Sequence, residues 1–321
     1  MEVQKYADSL LKRAIEKQVH DIYFLPKKDY YELFFRVNQV RTKAKDIQLQ
    51  DAQKLILHFK FRAGMNVGEK RRPQLGSFSF LQQDKEFRLR LSTVGDFEGR
   101  QSLVIRILHS NAQEAFNYFF EQQIMQIRAA AQKRGLFLFC GPTGSGKTST
   151  AYHLAKGLSE FQQIIAIEDP VEIHEERILQ LQVNEAIGMD YDSLIKLCLR
   201  HRPDLLIVGE IRDEKTARAV VRATLTGHSV FSTIHAKNIQ GVYSRLIELG
   251  VDKGEIRETL NGIAYQRIFE DIDEKSCVLF ELALNVKGGW SNIESKWAEN
   301  IQYLYENGKI SEATYLKEKD Y

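Results

Sequence analysis

Gly135 to Thr148 reads GLFLFCGPTGSGKT, five apolar residues running into a glycine-rich turn that ends in a lysine and a hydroxyl. A stretch that is apolar at every position is covered on both faces, as in a parallel sheet flanked by helices. The turn that follows has the composition of a phosphate cradle. Gly141, Gly144 and Gly146 allow backbone N–H groups to converge on an anion, and Pro142, Thr143 and Ser145 complete the loop. Lys147 has the reach to meet β- and γ-phosphates, and Thr148 supplies a hydroxyl for Mg²⁺. An amphipathic segment running to Leu158 places the anion at the positive end of a helix. The implied ligand is ATP with Mg²⁺.

Downstream, short apolar strands alternate with helices: QIIAIE, a helix over Tyr191–Leu199, DLLIVGE, a helix over Asp213–Leu225, then SVFSTIH. That order predicts an α/β core with a parallel sheet. Two of its strands end in acids. Glu210 closes DLLIVGE, where a carboxylate at a strand's C-terminal end meets the metal, through water, together with Thr148. Glu168, Asp169 and Glu172 in IEDPVE form a second group, suited either to orienting a water or to a solvated turn on Asp169-Pro170. Either Glu210 or Glu172, with Glu168 beside it, has the chemistry of a base. His228 and His235 flank SVFSTI, and either imidazole can donate to a γ-phosphate oxygen.

Upstream, Met1–His20 has helical periodicity. DIYFL, YYELFFRV, SFSFL, FRLRLST and SLVIRIL then read as strands, with a helix over Asp51–Arg62 between the second and third. This predicts a small α+β, PAS-like domain over residues 1–108, a polar linker over 109–115 and an ATPase domain over 116–270 that opens on a helix from Phe116 to Lys133. A helical C-terminal region over 271–321 completes the division. The 321 residues suffice for two domains, and 45 Lys plus Arg against 43 Asp plus Glu give no global field that attracts nucleic acid. No direct nucleic-acid binding is expected. Three cysteines without CxxC spacing exclude a disulfide framework and a four-cysteine zinc site. No run reaches the ~18 apolar residues of a membrane helix, so the expected location is cytoplasmic.

Together these segments resemble the secretion ATPases of type II secretion and type IV pili. IEDPVE looks like that family's Asp box, LLIVGEIRD like its atypical Walker B motif, and TGHSVFSTIHAKN like its His box. MNVGEKRRPQLGSF, FRLRLSTV and LVIRIL are similar to its N-terminal domain. The resemblance runs from about Val19 to about Ala283 and implies a RecA-like core. By the same resemblance, Arg90 and Arg106 occupy positions of arginine fingers that reach a neighbouring subunit's nucleotide; by chemistry alone they are arginines on strands.

The resemblance further implies a homo-oligomer, a hexamer, bound peripherally at the inner face of the cell membrane to an inner-membrane platform protein. Two departures stand out. Arg202-Pro203-Asp204 puts a cation where the family often has an acid, and the zinc-binding CxxC pairs of many members are absent around FEDIDEKSCV. Short length without that module looks most like the members that assemble competence pseudopili in Gram-positive bacteria. The alternatives are a retraction motor, a nucleic-acid translocase on the same core, or a regulator that binds nucleotide without hydrolysis.

Overall fold

The computed structural model describes residues 3–37, 40–108, 117–286, 289–291 and 296–320. The chain divides into two units, Met1–Gln113 and Glu114–Tyr321. The expected linker, 109–115, lies outside the described residues.

In the first unit, helix α1 (Val3–Glu16) buries Ala7, Leu10, Leu11, Ala14 and Ile15, the i, i+3, i+4 stripe of an amphipathic helix. It joins β1 (Asp21–Pro26), β2 (Tyr30–Val37), β3 (Val40–Gln48), α2 (Leu49–Arg62), β4 (Gln74–Gln82), β5 (Lys85–Gly95) and β6 (Gln101–Leu108). The strands form an antiparallel sheet in the order β3-β2-β1-β6-β5-β4. Ile22, Phe24, Leu33, Leu89, Leu91, Ile105 and Ile107 point from it into a core shared with Leu11 of α1 and with Leu55 and Phe59 of α2. Strand β3 is absent from the sequence reading. Its residues, VRTKAKDIQ, are exposed at most positions, so an edge strand of this kind carries no apolar alternation to detect.

The second unit begins with β7 (Asn117–Tyr118) and α3 (Glu121–Ala131), where a single helix over Phe116–Lys133 is expected. Then follow β8 (Gly135–Cys140), α4 (Lys147–Leu158), β9 (Ile164–Glu168), β10 (Leu179–Gln182), α5 (Tyr191–Arg200), β11 (Leu205–Val208), α6 (Glu214–Leu225) and β12 (Ser229–Ile234). The remainder is α7 (Ile239–Glu248), α8 (Lys253–Thr259), β13 (Leu260–Glu270), β14 (Ser276–Val286), β15 (Gly289–Ser291), α9 (Trp297–Glu306) and α10 (Glu312–Glu318). The sheet runs β10-β9-β11-β12-β8-β13-β14-β15, with β7 beside β14. One core, with Ile127, Ala151 and Leu154, lies under α3 and α4. The other, with Leu194, Ala217, Val242, Ile256 and Trp297, lies under α5 to α9.

Strands β10 to β13 pair in parallel, as an α/β core predicts, but β14 and β15 run antiparallel, which makes the sheet mixed. The physical reason is the short Asp271–Lys275 connection, since a tight turn can join only antiparallel neighbours. Part of the stretch expected to be helical, 271–321, is therefore sheet, and among its described residues the helices begin at Trp297. Among the described residues no helix is long and apolar enough to cross a membrane.

Candidate nucleotide site

Parallel register brings the C-terminal ends of β8, β9, β11 and β12 to one edge of the sheet: Cys140 lies beside Ile234, and Val208 beside both Ser232 and Ile167. The loop 141–146 and His235 follow these ends directly, Glu168 is the last residue of β9, and Glu210 lies two residues past β11, in the position where open α/β sheets bind ligands. Gly141, Gly144 and Gly146 have φ of 141°, 81° and 77°. At Gly141 the constraint is also steric, since a Cβ there would lie 2.3 Å from the Gln266 carbonyl oxygen. Only glycine therefore fits this turn.

Lys147, the first residue of α4, is buried, and its Nζ donates to the carbonyls of Gly141 (3.0 Å) and Pro142 (2.9 Å). Burial pushes its pKa down, while the carboxylates of Glu210 and Glu172 push it up, so both acids stand within electrostatic reach of the ammonium. Thr148 follows in the first turn of the same helix. A ring of loop amides, an ammonium and flanking carboxylates at a helix N-terminus fits a polyphosphate.

Glu210 is held on two sides. Its Oε2 accepts from Arg212 Nε at 2.7 Å, and its Oε1 lies 3.2 Å from His235 Nε2. The walls beneath it are also fixed: Thr233 Oγ1 donates to the Gly209 carbonyl and Gly209 N–H to that of Ile167. The structure thus brings together Lys147, Glu210, His235 and, at longer range, Glu172. Among the described residues no three His, Cys, Asp or Glu side chains form a metal cluster. The Thr148 hydroxyl and the Glu210 carboxylate are hard oxygen donors, and so few of them suit Mg²⁺, which keeps most of its water and phosphate ligands.

Two expected site residues have their side chains engaged away from the loop. His228 precedes β12, and Gly135 N–H donates to its carbonyl, at the opposite end of β8 from the loop. Six strand residues separate the two ends, roughly 20 Å at ~3.3 Å per residue. Its ring instead contacts Thr226 Oγ1 and the Ala223 carbonyl at the end of α6. Glu168 is 2% exposed and accepts from the Tyr152 hydroxyl, which in turn accepts from Gln180 Nε2. Burial raises its pKa. That closed arrangement ties β9 to α4 and β10, and withdraws the carboxyl from water activation. Asp204 accepts from the Gln163 N–H at the strands' N-terminal end, so it too belongs to the fold.

In the first unit, Arg90 and Arg106 are direct cross-strand partners on β5 and β6. They lie on the face opposite Leu89, Leu91, Ile105 and Ile107. Arg106 Nε donates to Asp21 Oδ1 at 2.7 Å, and Asp21 is buried. Sequence reasoning assigned no role to Arg212, Tyr152 or Gln266. Arg212 stands in the GEIRD segment two residues after Glu210, a spacing that could have flagged it; Tyr152 and Gln266 carry no local signal.

The chain matches the model of the family described as "Type II/IV secretion system protein" over residues 1–307. It is 50% identical to competence protein ComGA of Streptococcus pneumoniae, covering 99% of this chain and 98% of that one. It is 33% identical to the type IV pilus assembly ATPase PilB of Pseudomonas aeruginosa over 83% of this chain and 48% of PilB. Among solved structures, the pilus retraction motor PilT with bound ADP superposes with a TM-score of 0.75 at 22% identity, covering 97% of this chain and 96% of that one. The fold is thus that of PilT-type ATPases.

Proposed function

The chain belongs to the type II/IV secretion system protein family and is a motor ATPase, and we propose that its hydrolysis of ATP drives assembly of a competence pseudopilus. Identity of 50% along the whole length of a competence protein carries this reading. The likeness to the retraction motor is one of fold alone and favours no second direction of work.

In the proposed mechanism the loop amides and Lys147 bind the phosphates, and Lys147 exchanges its bonds to the Gly141 and Pro142 carbonyls for phosphate oxygens. Thr148 and Glu210 would hold a hydrated Mg²⁺, which would neutralise charge on the phosphates. Bound Mg-ATP supplies the phosphoanhydride whose cleavage the motor uses. Glu172, exposed and electrostatically coupled to Lys147, orients the attacking water and takes its proton. Glu210 can share that role only by loosening its pairs with Arg212 and His235. His235 reports the state of Glu210 to its surroundings.

Arg90 and Arg106 act in trans on a neighbouring subunit's nucleotide in a homo-oligomer, a hexamer. For Arg106 this requires sharing or leaving Asp21. The ring works in the cytoplasm at the inner face of the membrane against a platform protein.

The test is a paired one. Purified chain should release phosphate from Mg-ATP, and Lys147→Ala should abolish this, since no other basic residue lies in the loop. In cells, the parent gene but not Lys147→Ala should restore DNA uptake to a deletion strain. Turnover that survives Lys147→Ala refutes the site; normal uptake in the deletion strain refutes the biological role.

A further inference from the structure

Strand β13 runs beside β8 and passes under the phosphate loop at three points. The Gln266 carbonyl oxygen occupies the space a Cβ at Gly141 would need, Ile268 Cδ1 lies 2.8 Å from where a Cβ at Gly146 would stand, and Gln266 Nε2 donates to the Ser145 carbonyl. Gln266 is fully buried. Because a carbonyl only accepts, the amide nitrogen must be the atom that faces Ser145.

The consequence follows from peptide geometry. In a planar trans peptide the C=O and the N–H point in opposite directions. The Ser145 carbonyl and the Gly146 N–H belong to one peptide unit, so turning the carbonyl down onto Gln266 turns the Gly146 N–H away from β13, toward the open side of the loop. Gly146, with its φ of 77°, sits at the N-cap of α4, where the helix's positive end meets an anion. Released from Gln266, this peptide is free to flip, because glycine tolerates either arrangement. A flip would present a carbonyl oxygen to phosphate in place of a donor.

We propose that Gln266 is a positioning residue of the phosphate loop: its side-chain amide holds the Ser145–Gly146 peptide so that the Gly146 N–H is aimed at nucleotide phosphate. It acts on nucleotide only through the loop. The inference rests on the reading of residues 141–148 as the ATP site.

Three variants test it through the affinity of a fluorescent ATP analogue with Mg²⁺, the split between KM and kcat, and the melting temperature. Gln266→Met keeps length and removes the donor. It should weaken analogue binding and raise KM by about tenfold, the worth of one good hydrogen bond, with kcat falling no more than about twofold. Gln266→Glu sets a carboxyl oxygen against the Ser145 carbonyl and should weaken binding further. Should both fail to fold, Gln266→Asn, which keeps the amide but withdraws it by one methylene, takes their place and should bind more weakly than the parent. Lys147→Ala is the control. If it loses affinity while folded Gln266 variants bind like the parent, or melt lower with KM unchanged, the positioning role is overturned. If Lys147→Ala also binds like the parent, it is the ATP-site reading that fails.

Discussion

Removal of the Glu318 carboxylate should destabilise the second unit more than any change at its exposed ion pairs. Arg267, on β13, lies with its Nε 2.8 Å from Glu318 Oε2, and its Nη2 donates to Glu318 Oε1 at 3.0 Å. Their side chains are only 12% and 2% exposed. Glu318→Ala leaves the largely buried guanidinium without its counter-charge, an arrangement that costs about 3–5 kcal/mol. The Nη2–Oε1 contact is a directed hydrogen bond, whereas Nε and Oε2 meet as a close ionic contact. The expected loss is therefore about 3 kcal/mol, from the lower end of the range. For a unit of this size that is roughly 6–12 °C in melting temperature.

Tryptophan fluorescence suits the assay, because Trp297 Nε1 donates to the Glu318 carbonyl and so sits at the site of change. Chemical denaturation of the same variant should show a lower midpoint at an unchanged slope. The paired variant Arg267→Met with Glu318→Leu removes both charges and should lie within about 1 kcal/mol of the parent. A loss below about 1 kcal/mol in Glu318→Ala would refute the reasoning, as would a paired variant no more stable than the single one.

Glu210→Gln keeps shape and removes charge. ATP should still bind while phosphate release falls at least about tenfold, and loss of binding instead would make Glu210 structural. Arg90→Ala and Arg106→Ala should each bind ATP nearly as well as the parent while turnover drops on the order of 10² or more. Mixing Arg106→Ala with Lys147→Ala chains should restore some activity where an intact loop meets an intact finger; co-assembled mixtures that stay inactive exclude a role in trans. Glu168→Gln tests pH dependence. Burial raises the Glu168 pKa above its ordinary 4.5, so the folded state holds this proton more tightly than the unfolded chain. The resulting stability is complete below about pH 4.5 and is lost as pH rises through the folded value. Glu168→Gln should therefore melt higher relative to the parent at pH 8 than at pH 4.5, and parallel pH profiles for the two would contradict this.

What the sequence determined by itself were the features written in neighbouring residues. The loop at 141–148, the apolar strands that lead to Glu168 and Glu210, and the helices between them depend on composition within a few positions, as does the α1 stripe. The charged edge strand β3 carries too few apolar residues to announce itself, and in β13–β14 the polar turn around Asp271 masks the hairpin. Tertiary structure alone decided which of the singled-out residues share a site. His228 and His235 flank one strand, yet only His235 leaves it at the loop's edge, because strand direction places them at opposite ends. Glu168 and Glu210 both close buried strands, but Tyr152 claims the first and leaves the second to Arg212 and His235. Gln266 meets Ser145 across 121 residues of chain. Pairing of that kind is set by sheet order and register, which no local pattern encodes.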